Sequence, residues 1–81
     1  MAVVHFPRGL QVHTGGLEQV DVAGDVIRDV LREVVRRFPE LRETLDRGMA
    51  VSIDGEIIQE PLLEPVEPDS EIHLLSPISG G

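Results

Sequence analysis

Between positions 25 and 38 apolar residues return every three or four places: Val26, Ile27, Val30, Leu31, Val34, Val35 and Phe38. That spacing lines one face of an α-helix and predicts the longest element of the chain. Asp25 stands where a side chain can accept from the free amides of the first turn. Arg36 and Arg37 fall in the last turn, where cations meet the negative end of the helix dipole. Pro39 closes the helix, and residues 40–45 offer one more short helical turn with Leu41 and Leu45 inward.

Elsewhere the period drops to two. Residues 3–6 (Val-Val-His-Phe) read as a first strand, stopped by Pro7, Arg8 and Gly9. Residues 12–16 form a polar loop turning at Gly15 and Gly16, and residues 17–22 alternate at Val20 and Val22 as the second strand of a hairpin. Residues 49–53 make a third strand, and Asp54-Gly55 is a strong turn signal into residues 56–58. A loop rich in proline and acid fills residues 60–70, and residues 71–76 form a last strand that Pro77 ends. The order hairpin, helix, hairpin, strand predicts an α+β domain, a mixed sheet covered on one face by one long helix. Its first and last strands lie side by side in the sheet centre. Residues 1–76 then form the domain, and residues 77–81 leave it as a flexible tail ending in Gly80-Gly81. The expected core is Val4, Phe6, Val20, Val26, Val30, Leu31, Val34, Val51, Ile53, Ile72 and Leu74.

Composition narrows the function. Eighty-one residues, 41% of them hydrophobic, suit one compact domain. No apolar run approaches the ~18 residues of a membrane span, and residues 1–6 lack a basic signal-peptide start, so a cytoplasmic protein away from membranes is expected. Without cysteine the chain has no side-chain thiolate for catalysis or metal binding. A net charge of −8 argues against nucleic acid as a partner. All seven basic residues are arginines within the first 47 positions, whereas residues 48–81 hold seven acids and no base. Such a half suits a partner with a basic docking face. With no lysine, only the α-amino group of Met1 remains as an acceptor for isopeptide-type attachment.

Few side chains suggest chemistry of their own. His5 and His73 fall on strands expected to be neighbours, but two histidines without a third ligand make a poor metal site, and His13 sits in a loop. Glu64, Glu67 and Asp69 are interrupted by prolines and lack a calcium-loop pattern, and Gly15-Gly16 lacks the strand–loop–helix setting of a phosphate site. The terminal Ser79-Gly80-Gly81 is different. Glycine has no Cβ, so another protein's backbone and catalytic groups can approach it closely.

The ending from Asp69 to Gly81, with Pro77-Ile78-Ser79-Gly80-Gly81 at its close, resembles that of the ubiquitin-like sulfur carriers of the MoaD/ThiS family, which includes the molybdopterin synthase small subunit and the thiamine- and cysteine-biosynthesis carriers. The helix run from Val26 to Leu31, the Phe38-Pro39-Glu40-Leu41 close and the Val51-Ser52-Ile53-Asp54-Gly55-Glu56 hairpin are similar to the family's pattern. Asp54 departs from the usual asparagine and Ser70 from a glycine. His13-Thr14-Gly15-Gly16 resembles the branch that holds the cysteine carrier. The resemblance implies a ubiquitin-like β-grasp fold and a non-enzymatic role as a protein co-substrate. An E1-like adenylyltransferase would adenylate the Gly81 carboxylate with ATP, a sulfur donor would convert it to a thiocarboxylate, and a downstream sulfur-accepting synthase would take the sulfur. A tail-processing metalloprotease belongs to the same implied set of partners. No cofactor is held stably. Pro77, Ile78, Ser79, Gly80 and Gly81 would enter the partner's active site, and Leu74 and Leu75, one of them exposed, would form the partner-binding surface. A modifier conjugated to target lysines through Gly81, or a plain binding module, are the alternatives.

Overall fold

The computed structural model describes residues 1–58 and 61–75. Strand β1 (Ala2–His5) leads through a 3₁₀ segment (Arg8–His13) to β2 (Gln19–Val22), which returns antiparallel with Val20 opposite Val4. Helix α1 (Ile27–Arg37), a 3₁₀ turn (Pro39–Leu41) and the short helix α2 (Arg42–Asp46) follow, then β3 (Ala50–Ile53), β4 (Glu56–Ile58) and β5 (Glu71–Leu75). The sheet runs β2-β1-β5-β3-β4, with β5 parallel to β1 and antiparallel to β3. This mixed five-stranded sheet packed on one helix is the β-grasp arrangement that the resemblance implies. Ser76 of the expected last strand, and the expected domain boundary and tail beyond it, lie outside the described residues.

Period two decides which side of the sheet meets α1. Val4, Val22, Val51, Ile72 and Leu74 point inward and are buried against Ile27, Val30, Val34 and Leu41. Phe6 meets Phe38 edge-on, with ring centroids 5.6 Å apart, closing the end of the core where α1 stops. The β3–β4 turn has φ 51° at Asp54 and 89° at Gly55. Two successive positive φ values match the twist of a two-residue hairpin, which explains the Asp-Gly pair. On the exposed side of α1, Glu33 pairs with Arg36 and Arg37. The hydrogen bond from Arg36 holds the Glu33 carboxyl below its ordinary value, so this pairing operates at neutral pH and is lost as the pH falls through that lowered value.

Three details differ from the sequence pattern. Asp25 does not cap α1: Val26 occupies the cap position, and no side chain caps the helix there. The amides of Ile27 and Arg28 instead donate to the carbonyls of Glu64 (3.0 Å) and Leu62 (2.8 Å), in the loop before β5. The main chain of Asp25 completes the clamp by accepting from the Val66 amide at 2.9 Å. The core is also shifted. Val26, Leu31, Val20 and Ile53 are only half-buried, while Ala2, Leu10, Val22, Ile27, Leu41 and Val66 are buried. Finally, the loop after β1 is helical. Pro7, with φ −64°, starts the 3₁₀ segment, its carbonyl accepts from the Leu10 amide, and Leu10 drops into the core.

Three substitutions separate these contributions. Ile27→Ala or Leu41→Ala, at fully buried sites, should cost about 2–5 kcal/mol in urea unfolding. Asp25→Ala should stay within about 0.5 kcal/mol of the parent, well short of the ~1 kcal/mol of a lost side-chain cap.

Candidate functional site

The central strand β5 alternates exposed and buried residues: Glu71 and His73 face outward, and Ile72 and Leu74 face the core. Leu74 is 1% exposed, so of the pair expected at a partner surface it is taken up by the core. Leu75 is half-buried, falls on the outer side by alternation and lies opposite Ala50 of β3. The outward residues of neighbouring strands join it in rows. One row crosses the sheet as Gln19, His5, His73, Ser52 and Ile57, each in register with the next.

His5 and His73 do come together. Their rings stack nearly parallel with centroids 4.2 Å apart, and His5 Nε2 lies 3.1 Å from a Glu71 carboxylate oxygen. The parallel β1–β5 register places them side by side, as Cα partners. Among the described residues no group of three or more histidines, cysteines or acids is arranged to hold a metal ion. What the stack offers is a flat, aromatic, partly polar surface in the middle of the sheet. The sequence signal for it was one histidine on each central strand; Ile57, at the sheet margin beyond Ser52 in the same row, carried no separate signal.

The turn that launches β5 is tightly built. Ser70 is 1% exposed, and its Oγ accepts from the Glu67 amide at 2.9 Å while its own amide donates to the Glu67 carbonyl at 3.1 Å. Its carbonyl accepts from Val3 at 3.0 Å, joining the turn to β1. Here serine does what a glycine could not, supplying a buried acceptor that fixes the turn. Asp54 adds a second tie: its amide donates to the Glu71 carbonyl and its carboxylate accepts from the Glu71 amide, both at 2.9 Å. Both ends of the strand's first residue are thus fixed.

His13-Thr14-Gly15-Gly16 is held apart from this face. Thr14 is 3% exposed, with its hydroxyl 2.9 Å from the Leu17 carbonyl and 3.2 Å from that of Gln11. Gly15 and Gly16 have φ values of 68° and 89°, which side-chain-bearing residues rarely adopt. His13 reaches Glu40 at 3.3 Å. The segment is a turn that pins the 3₁₀ segment to the far end of α1. Pro77, Ile78, Ser79, Gly80 and Gly81 lie outside the described residues. No helix among the described residues is long and apolar enough to cross a membrane.

The ThiS family model matches residues 4–81. Comparison with the curated proteins yields no significant match. Among solved structures, a chain of the Amycolatopsis orientalis BexX/CysO complex superposes with a TM-score of 0.88 at 22% identity, with 100% of both chains covered. CysO from Mycobacterium tuberculosis gives 0.84 at 20% identity, over 94% of this chain and 98% of that one. Small archaeal modifier protein 1 from Haloferax volcanii gives 0.76 at 28% identity, over 99% and 98%. At such identities the first two likenesses speak for the fold alone.

Ser70→Ala leaves the Glu67 amide without its buried acceptor. The expected loss is about 1–3 kcal/mol in equilibrium unfolding, with β5 amides losing protection from hydrogen exchange.

Proposed function

We infer from its match to the ThiS family model over residues 4–81 that the chain belongs to that family and carries sulfur on its C-terminal carboxylate. Membership makes it a ubiquitin-like domain of the sulfur-carrier or protein-modifier kind. Within that kind, the family match running through Gly81 is the observation that carries the finer reading. A carboxylate is a poor electrophile, so an adenylyltransferase first joins the Gly81 carboxylate to AMP, releasing pyrophosphate from ATP. Hydrosulfide from a donor then attacks the acyl carbon, and AMP departs with the bonding electron pair, leaving a thiocarboxylate. Without cysteine the chain has no side-chain persulfide route. Residues 77–81 are the segment offered to the enzyme's active site, and Gly80 keeps that segment thin.

The fold supports this division of labour. The chain's own groups do no catalysis in this scheme; it supplies the tail and a rigid surface behind it. β5 is gripped on both sides by β1 and β3, so the residues offered to the enzyme follow directly on the central strand of the sheet. Leu75 and the His5–His73 stack form the outward surface nearest that exit and are the docking face for the activating enzyme. The sulfur goes to a biosynthetic enzyme that makes cysteine or another thio-metabolite rather than molybdopterin or thiamine, a preference resting on the His13-Thr14-Gly15-Gly16 segment. A second reading, conjugation to lysines of other proteins, is favoured by the 28% identity to the Haloferax volcanii modifier.

Incubation with ATP, a cognate adenylyltransferase and sulfide should raise the intact mass by the difference between sulfur and oxygen, and deletion of Gly81 should abolish the gain. An unchanged mass in the intact chain overturns the carrier reading. Conjugate ladders in cells that vanish with Gly81 would establish the modifier instead. Leu75→Glu should weaken binding to the adenylyltransferase about tenfold or more. Its cost in stability should stay below the ~1.5–3 kcal/mol of a fully buried leucine.

A further inference from the structure

A groove of about 910 Å³ opens beneath the margin of the sheet at β4, walled by Leu31, Leu45, Met49, Ile58, Leu62 and Leu63. Ile57, Leu62 and Leu63 are 64%, 53% and 70% exposed, an unusual concentration of large apolar side chains at one margin. The wall is not a loose loop. The carbonyls of Leu62 and Glu64 are held by the first amides of α1, and the Glu64 amide donates to the Pro61 carbonyl at 2.8 Å. The main chain that carries the two leucines is therefore held in place.

The backbone beside the groove is open as well. β4 is the end strand of the sheet, and among the described residues nothing pairs with its outer side. Ile53 and Glu56 flank the two-residue Asp54-Gly55 turn and form its hydrogen-bonded pair. Alternation makes Ser52–Ile57 the next, non-hydrogen-bonded pair, so the amide and carbonyl of Ile57 point away from β3. A further strand laid along β4 would find both groups free. Its alternate side chains would fall on the two faces, one set beside Ile57 on the outer side and the other above Ile58 in the groove.

We propose that this edge and groove dock an extended segment of a partner protein, with β-branched or aliphatic residues at alternate positions and a basic flank. Charge selects the occupant. Asp46 is the one charged residue among the described residues lining the groove, Glu56 begins the edge strand, and no base occurs from Gly48 onward. Arg28, Arg32, Arg36 and Arg42 border a neighbouring hollow that shares Leu31, Leu45, Asp46 and Leu62 with the groove, so the occupant's basic flank belongs at the Glu56 end, away from them. A second copy is disfavoured because each chain carries −8. This surface adjoins the outer face near Leu75 at Ala50 and Ile57, and it does not depend on chemistry at Gly81.

The test uses the full chain, isotope-labelled, with no ATP or activating enzyme. The probe is the peptide Arg-Lys-Arg-Lys-Val-Thr-Ile-Thr-Val, basic at one end only, with a counterpart carrying Glu at every basic position. Saturable amide shifts centred on Met49, Ile57, Ile58, Leu62 and Leu63 are expected, with the acidic peptide binding about tenfold or more weakly. Ile57→Pro, which removes an amide from the free edge, and Leu62→Glu, at an exposed loop position, should each cost about tenfold in affinity. If the proline variant fails to fold, Leu62→Glu decides. Absent shifts, shifts centred on another face, or equal binding of the acidic peptide overturn the proposal. So does sedimentation showing a second copy in the groove, or movement of the groove amides by Ile78→Asp without peptide, which would assign the groove to this chain's own tail.

Discussion

The parallel pairing of β1 with β5 is the contact on which the molecule is organised. Val4 and Ile72, opposite each other across it, are both fully buried. Parallel neighbours cannot be joined by a tight turn, so the whole chain between them is one long crossover. That crossover supplies the helix for the inner face and an antiparallel strand for each side of the central pair. On the outer face the same register stacks His5 on His73. One pairing thus fixes the core on one face of the sheet and the aromatic stack on the other.

Elements with a sustained period were readable from sequence. The stripe from Ile27 to Phe38 and the alternation of Ile72 and Leu74 each predict which side chains turn inward, and the Asp54-Gly55 pair predicts its turn. Isolated apolar residues were not readable. Leu10 and Val66 sit in irregular segments where no repeat marks a buried face, yet both are buried. Asp25 shows a different limit. Its position suits a cap, but carbonyls from residues nearly forty places later reach the same amides first. No local pattern announces a competitor so distant. Of the site, alternation marked Leu75 as outward, and the meeting of the two histidines followed from strand order. The groove was invisible because its walls come from α1, α2, β4 and a loop, none of which carries the whole signal.

The two proposed docking surfaces are divided rather than concentrated. Near the end of β5 the sheet offers a half-buried leucine and an aromatic stack, while the opposite margin offers an open edge over apolar walls. In the proposed carrier role, one partner would hold the domain at one surface while a second engages the other.

The union between the first turn of α1 and the loop at residues 61–66 has a dynamic consequence. Opening helix ends ordinarily fray into water within nanoseconds to microseconds, independently of the rest of the domain. Here the amides of Ile27 and Arg28 cannot open until the loop lets go, and the loop cannot leave without exposing them. Fraying at this helix end and detachment of Leu62 become a single opening event. The Arg28 amide is therefore a built-in reporter: whatever steadies the groove wall slows its exchange with solvent, without touching Arg28 itself.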